Sequence, residues 1–349
     1  MPGFMIGSLS SLGNSSVPAG AGEVRLFSVV RNEAPRLPYF LRYYSERGVD
    51  RFFIVDNDST DSTSDVLLGH KHVHVFYTSE KYSQSRYGAA WLETLLAQYG
   101  RDHWCVVADA DEFVVYPGWE YLSIPQLCQY FDLEQASAFH CILVDMYSDR
   151  PFDQTEYIPG TNPLKTCPYF ETDTIQCVGS LRGVKAGHWR HRRGVRGRLF
   201  DLTVRLDKIS LIKYDPAMTI EPGMHFLRNV RLSRIRGAVL HFKFLGDFST
   251  RVAIEASRGE HWSNAIEYKR YAEVVALGQP LCAYTSSSQR FRGSKDLIDA
   301  GVMTCPADFS RYCSQLQVTS AVGALREATK GAGTYCEGVP GLRLGSRKT

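Results

Sequence analysis

Two carboxylates one residue apart, Asp109 and Asp111, open the segment Asp109-Ala110-Asp111-Glu112-Phe113, directly after the apolar run Trp104-Cys105-Val106-Val107-Ala108. The run reads as a buried strand, so both acids fall at its carboxyl end. Crowded there, they repel each other at low dielectric unless a cation or a proton sits between them. Carboxylates with room for water suit Mg2+ or Mn2+, the ions that carry phosphate groups. Two solvated turn acids would show the same spacing, so the elements around the motif have to decide.

Those elements alternate. Glu23 to Val30 reads as a strand, and Pro35 opens a helix with Leu37, Phe40, Leu41 and Tyr44 on one face, closed by Gly48. Arg51 to Val55 is a second strand, ending in Asp56-Asn57-Asp58-Ser59-Thr60-Asp61-Ser62-Thr63, where several side chains can cap a helix running to Leu68. Val73 to Tyr77 is a third strand, Ser85 to Tyr99 a third helix, and Cys105 to Ala108 a fourth strand. The alternation predicts an α/β fold, a mainly parallel sheet flanked by helices. Ligands of such sheets bind beyond the carboxyl ends of the strands. Arg31-Asn32-Glu33, the Asp56 to Asp61 cluster and the Asp109 to Glu112 cluster therefore converge on one rim.

These motifs, Val30-Arg31-Asn32-Glu33-Ala34, the Val55 to Asp61 run and Asp109-Ala110-Asp111-Glu112-Phe113, resemble the successive signatures of family 2-like glycosyltransferases with the GT-A fold. Asp145-Met146-Tyr147-Ser148-Asp149, Arg193 to Arg198, Lys208-Ile209-Ser210 and Leu240-His241-Phe242-Lys243-Phe244 are similar to segments of a bacterial branch of that superfamily. The likeness covers about Glu23 to Tyr312. It implies a Rossmann-like first half, 23–115, that binds the nucleotide, and a mixed second half, 116–312, that completes the metal site and receives the acceptor. The implied reaction moves a sugar from a nucleotide-sugar donor, a UDP-sugar by preference, to an acceptor hydroxyl on a glycan or lipid-linked acceptor in bacterial polysaccharide or surface-glycan synthesis. A divalent ion or basic side chains would stabilise the charge gained by the leaving diphosphate.

Under that resemblance Asp109 and Asp111 hold Mn2+ or Mg2+, with Asp111 the more direct ligand, the Asp56, Asn57 and Asp58 turn receives the base and ribose, and Arg31, Asn32 and Glu33 are further donor-binding residues. Glu112 lies on the opposite strand face from Asp111, where it supports a neighbouring loop or the acceptor, or simply a salt bridge. His241 and Lys243 share one face of the alternating run Val239 to Phe244. In related enzymes a downstream histidine completes the metal shell, and Lys243 beside it would neutralise the diphosphate. A hydrogen-bonded structural histidine is the competing reading. His225 and, more weakly, His261 beside Trp262 are rivals for the same position.

Gly187 to Arg198 gathers His188, Arg190, His191, Arg192, Arg193, Arg196 and Arg198 in a chain whose net charge is only +3. It reads as a glycine-hinged loop whose Arg196 and Arg198 close over the donor diphosphate, or as a solvated basic loop. The near-neutral total and the lack of a recognition motif argue against nucleic-acid binding. For the base that accepts the acceptor proton, Asp145, Asp149, Glu171, Asp173 and Asp207 are available, with Asp149 favoured and an inverting reaction inferred. From Arg251 to Tyr271 an amphipathic helical segment, broken near Gly259, is expected to pack behind the His241 strand. Its Trp262 and Tyr268 are either a sugar platform or core.

The 349 residues, 44% of them apolar, can bury a large core in one catalytic domain. Residues 1–22 read as a disordered lead-in and 313–349 as a tail with possible peripheral membrane contact. No apolar run long enough for a membrane helix occurs. Nine cysteines, widely spaced and partly within apolar strands, suggest reduced thiols in the cytoplasm, at most at the inner face of the membrane. Two other function classes fit parts of the pattern. A DxD phosphohydrolase would place its motif at the start of the domain, before other strands, and a non-catalytic nucleotide-sugar or glycan binder would keep the site without the chemistry.

Overall fold

A computed structural model describes residues 5–6, 8–13, 16–180 and 189–317. The chain forms two compact units, Met1–Cys305 and Pro306–Thr349. In the second the described part is a helix over residues 307–317. Residues 187–188 of the basic stretch and 318–349 of the tail lie outside the described residues.

In chain order the first unit runs β1 (Met5–Ile6), β2 (Leu9–Leu12), β3 (Val24–Val30), α1 (Leu37–Glu46), β4 (Arg51–Asp56), α2 (Thr63–Leu68), β5 (Val73–Tyr77), α3 (Ala89–Tyr99) and β6 (Trp104–Val107). It continues through β7 (Glu112–Val115), α4 (Ile124–Leu133), β8 (Ala138–Asp145), β9 (Tyr169–Phe170), β10 (Ile175–Ser180), β11 (Trp189–Arg193), α5 (Gly194–Phe200) and β12 (Asp207–Lys213). Then follow β13 (Thr219–Ile220), β14 (Leu227–Arg228), β15 (Leu232–His241), α6 (Phe248–Arg258), α7 (Trp262–Val275), β16 (Gln289–Arg290) and α8 (Ser294–Asp299).

Ten strands form one sheet in the order β1-β2-β5-β4-β3-β6-β12-β8-β15-β7. The β5-β4-β3-β6 stretch is parallel, as the alternation predicts. Beyond β6 the sheet is mixed: β12 runs antiparallel to both β6 and β8, β15 parallel to β8, and β7 antiparallel to β15. The strands are continuous apolar runs because both faces are covered. On one side Phe27, Phe53, Phe76 and Cys105 pack with Trp91, Leu95 and Leu96 of α3. Helix α1 grips the edge strand β7: Tyr43 Oη donates to the Val114 carbonyl at 2.6 Å and Tyr44 Oη to the Glu112 carbonyl at 2.9 Å. Phe113 fills the space between their rings. At Gly237 an added Cβ would stand 2.3 Å from the Phe139 ring and 2.8 Å from the Val115 carbonyl, so β15 can lie this close to its neighbours only with glycine there.

Several expectations are corrected. Within the lead-in expected to be disordered, Leu9–Leu12 adds antiparallel to β5, with Leu9 buried in the core, so apolar spacing outweighed a polar composition. Helix α3 begins at Ala89, because Arg86, Tyr87 and Gly88 stand at positive φ and cannot extend it. The stretch expected as a glycine-hinged loop is, over its described part, strand β11 followed by helix α5. Strand β15 ends at His241, since the Phe242 amide leaves the ladder to donate to the Asp111 carbonyl at 2.9 Å.

Candidate functional site

Three chain segments meet at the carboxyl ends of the parallel strands. Arg31 donates to the Asn57 carbonyl at 2.6 Å and pairs with Asp58 at 3.3 Å. Asn32, held at positive φ, accepts from the Thr60 amide at 2.7 Å, while its own amide donates to Ser59 Oγ. Asp56 is fully buried and accepts from the Ser59 amide at 3.0 Å and from Ser64 Oγ; the Asn57 amide group donates to the Thr78 and Glu80 carbonyls. Asp56 and Asn57 therefore shape the turn, and Arg31 and Asp58 are the more exposed polar groups beside it. Glu33 is spent differently. Buried, it forms a two-point pair with Arg251 at 2.7 and 3.1 Å and meets Arg36 at 3.4 Å, which ties the first half to α6.

The β6–β7 turn carries Asp109 and Asp111. Asp111 Oδ2 lies 3.5 Å from His241 Nε2, and the other ring nitrogen, Nδ1, lies 2.5 Å from Asp145 Oδ1 at the end of β8. The pairing of β15 with both β7 and β8 sets this row, placing His241 beside Glu112 on one side and Asp145 on the other. Asp145 in turn accepts from Arg196 Nε of α5 at 2.9 Å, and Arg196 reaches Glu267 of α7 at 3.1 Å. Burial works against the charge on Asp111, but His241, Arg251 and Lys243 overcome it and hold the carboxyl well below its ordinary value. Burial likewise opposes charge on His241, and Asp111 and Asp145 together raise its pKa. Lys243 Nζ donates to Tyr268 Oη at 3.2 Å and lies 4.7 Å from that ring's centre.

Asp109 points elsewhere. Its half-exposed carboxylate is 3.6 Å from Lys208 Nζ, which is bound at 2.7 Å to the buried Glu112. Glu112 also accepts from the Asp109 amide at 3.2 Å, so it braces the turn. Burial raises the Glu112 pKa against the pull of Lys208.

Other candidates are placed outside this row. Arg198 forks onto Glu171 at 3.0 and 2.5 Å and is consumed there, as is Glu171. Arg196 is committed to Asp145 and Glu267 on a helix, with one buried nitrogen, Nη2, lacking a partner among the described residues. His225 is not beside Asp111: its Nδ1 bonds the Asp207 carbonyl at 2.7 Å. Asp207 is enclosed by His140 and His191, both at 2.9 Å, and these three could hold a metal ion. His261 pairs with Glu255 at 3.0 Å and its ring packs 4.4 Å from Tyr268. Trp262 is 67% exposed, with Tyr87 5.4 Å away. Tyr87 and Trp262 border two left-handed turns, Arg86 to Gly88 and Ser263 to Ala265, that stand against each other at the rim. Asp149 and Asp173 are exposed, Asp149 accepting from Ser148 Oγ at 3.3 Å. Sequence reasoning gave no role to Lys208, Arg251 or Glu267, since an ion-pair partner some hundred positions away leaves no local signal.

No family model matches the chain. A stretch of 103 residues, 27% of the chain, is 29% identical to part of a glycosyltransferase family 92 protein of Arabidopsis thaliana. Another of 99 residues, 26% of the chain, is 30% identical to part of a glycosyltransferase family 92 protein of Oryza sativa subsp. japonica. The chain spans 17% and 16% of the length of these relatives. Among solved structures, HddC from Yersinia pseudotuberculosis overlaps 40% of this chain and 70% of its own at 11% identity and a TM-score of 0.22. A 4-diphosphocytidyl-2C-methyl-D-erythritol synthase overlaps 80% of this chain and 98% of its own, also at 11% identity, with a TM-score of 0.25. Overlaps this loose carry no reading of fold or function. Among the described residues no helix is long and apolar enough to cross a membrane.

Proposed function

We propose that the chain is a metal-dependent glycosyltransferase that moves a sugar from a nucleotide-sugar donor, UDP-linked by preference, to an acceptor hydroxyl of a glycan. The observation that carries this reading is the row Asp145–His241–Asp111 at the carboxyl rim of the sheet. A histidine that gives one nitrogen to a buried carboxylate presents its other nitrogen as an oriented, basic ligand, and here that nitrogen faces Asp111. Asp111 and His241 thus suit a divalent ion such as Mn2+ or Mg2+, which would neutralise charge on the leaving diphosphate. Asp109, exposed in the same turn and turned toward Lys208, would join them only by a side-chain rotation. The local likeness to plant glycosyltransferases supports the transferase class.

The remaining roles go to the polar groups beside the row and the turn. Arg31, Asn32, Asp58 and the turn shaped by Asp56 and Asn57 receive the base and ribose, and Lys243 and the unpartnered nitrogen of Arg196 face the donor phosphates. Of the acids considered as base, Asp145, Glu171 and Asp207 are each tied to cationic or histidine partners, which leaves the exposed Asp149 and Asp173. Asp149, exposed after β8, is the one we assign to take the acceptor proton, in an inverting displacement.

The test is a thermal-shift and calorimetric screen against UDP-, GDP-, CMP- and dTDP-sugars, each with and without Mn2+. Stabilisation by one nucleotide class only when metal is present is the expected result, because a ligand that binds only the native state raises its stability by mass action. Absence of any nucleotide response, or metal-dependent hydrolysis of a simple phosphate ester with no acceptor, would overturn it.

A further inference from the structure

Away from the Asp111–His241 row, a cavity of about 150 Å³ is lined by Arg190, Arg192, Arg205 and Arg228, with Asp207 and Glu221. Strand alternation explains the gathering. Arg190 and Arg192 share one face of β11 while His191 between them turns to Asp207. Arg205 lies across a β-bridge from Arg192, and the β13–β14 hairpin brings Arg228.

Four guanidiniums in one small space repel one another, and the two carboxylates do not satisfy them. Both histidines and the His191 amide already occupy the Asp207 carboxylate, each at 2.9 Å. Glu221 stands 3.9 Å from both Arg205 and Arg228, at the outer limit of an ion pair. Among the described residues the Nε atoms of Arg190 and Arg192 are buried without a hydrogen-bond partner. No acidic residue occurs in the chain from Leu181 to Phe200. The field at the cavity is positive, four arginines against two carboxylates, one of which is already taken up by two histidines. That same field opposes a dication at His140, His191 and Asp207, although those side chains could ligate one. The volume is below the ~300 Å³ at which pockets begin to hold whole drug-sized ligands, and fits one charged group.

We propose that this cavity is an oxyanion subsite that binds a phosphate-class group through Arg190, Arg192, Arg205 and Arg228. Planar guanidiniums match tetrahedral oxyanions with paired N–H donors, and Nε is one member of each pair. The group is either free inorganic phosphate or the phosphate of a larger molecule, a sugar phosphate or a lipid phosphate.

The experiment titrates the full chain, without divalent metal, with inorganic phosphate, glucose 1-phosphate and a short-chain prenyl phosphate, using sodium chloride at matched ionic strength as control. Wild-type protein should bind at least one of them, the tightest naming the source. Arg192→Gln/Arg228→Gln should weaken that binding at least tenfold. Glu221→Gln removes the competing carboxylate and should tighten it severalfold, a gain that a misfolded variant cannot imitate. Metal-dependent nucleotide-sugar binding at the other site should be unchanged in all three proteins, so failure here is separate from failure of the transferase reading. No phosphate binding beyond the chloride control, equal binding in wild type and both variants, or stoichiometric Zn2+ uptake lost on Asp207→Asn with no phosphate response would each overturn the proposal.

Discussion

Replacing Asp111 by asparagine keeps the side-chain shape and removes the charge that faces His241, Arg251 and Lys243. The expected outcome is loss of metal-dependent donor stabilisation, with a cooperative but lowered unfolding transition because three cations lose their anion. Donor affinity and turnover equal to wild type would remove Asp111 from the metal site. His241→Ala should weaken Mn2+ binding, read by titration with the paramagnetic ion, by about ten- to a hundredfold. An unaltered titration would return His241 to a purely structural hydrogen-bonding place between two carboxylates. Asp109→Asn is predicted to have the smaller effect of the two aspartates, since its carboxylate is half-exposed and turned toward Lys208.

At the scale of elements, Arg196 is the fastening. It sits on α5 and holds Asp145 at the end of β8 and Glu267 on α7, so one side chain joins the sheet to two helices. Arg196→Gln takes the guanidinium from the buried Asp145, which keeps His241 as its remaining partner, and should destabilise by about 3 kcal/mol, measured by urea unfolding. Arg196→Lys should recover only part, because a point charge cannot make both contacts with the same fork geometry. The parallel strands, the positions of α1 and α3 and the rim that gathers Arg31, Asp56 and Asp109 were legible in the sequence, because apolar runs and turn residues report local periodicity. The β15 pairing with β7 on one side and β8 on the other was not, although it is what sets His241 between Asp111 and Asp145. Pairing across a hundred residues depends on which strand faces which. The basic stretch misled for a related reason: charge density suggests a solvated loop, whereas the acids that neutralise Arg196 and Arg198, at positions 145, 171 and 267, lie in distant elements.

For the whole molecule, the buried and half-buried titrating groups fix how stability responds to acid. His225 is pushed down to about 4 in the fold against an ordinary 6.5, so the unfolded chain binds the proton first and stability rises with pH between about 4 and 6.5. Glu267 is held at about 2 by Arg196 and Lys243 against the effect of burial, so its contribution is present above 4.5 and is lost as pH falls toward 2. Melting temperature should therefore climb from pH 4 to 6.5, and His225→Gln should flatten that climb while leaving the fall below pH 4.5 in place. A slope unchanged by the substitution would assign it to other histidines. The two left-handed turns that face each other at the rim, Arg86 to Gly88 and Ser263 to Ala265, bear on time rather than on acid. Residues other than glycine held in that conformation cost about 1–2 kcal/mol each, free energy recovered whenever the segment relaxes. Relaxation there would separate Tyr87 from Trp262, whose rings stand 5.4 Å apart. Amide hydrogens of 83–88 and 261–266 should exchange faster than those of the strands beneath them. Ser263→Gly, on the exposed side of the second turn, should slow that exchange and raise stability by about 0.5–1 kcal/mol. If opening of these turns admits the donor, the same substitution slows donor entry and lengthens its residence, so the strain in the rim sets a rate.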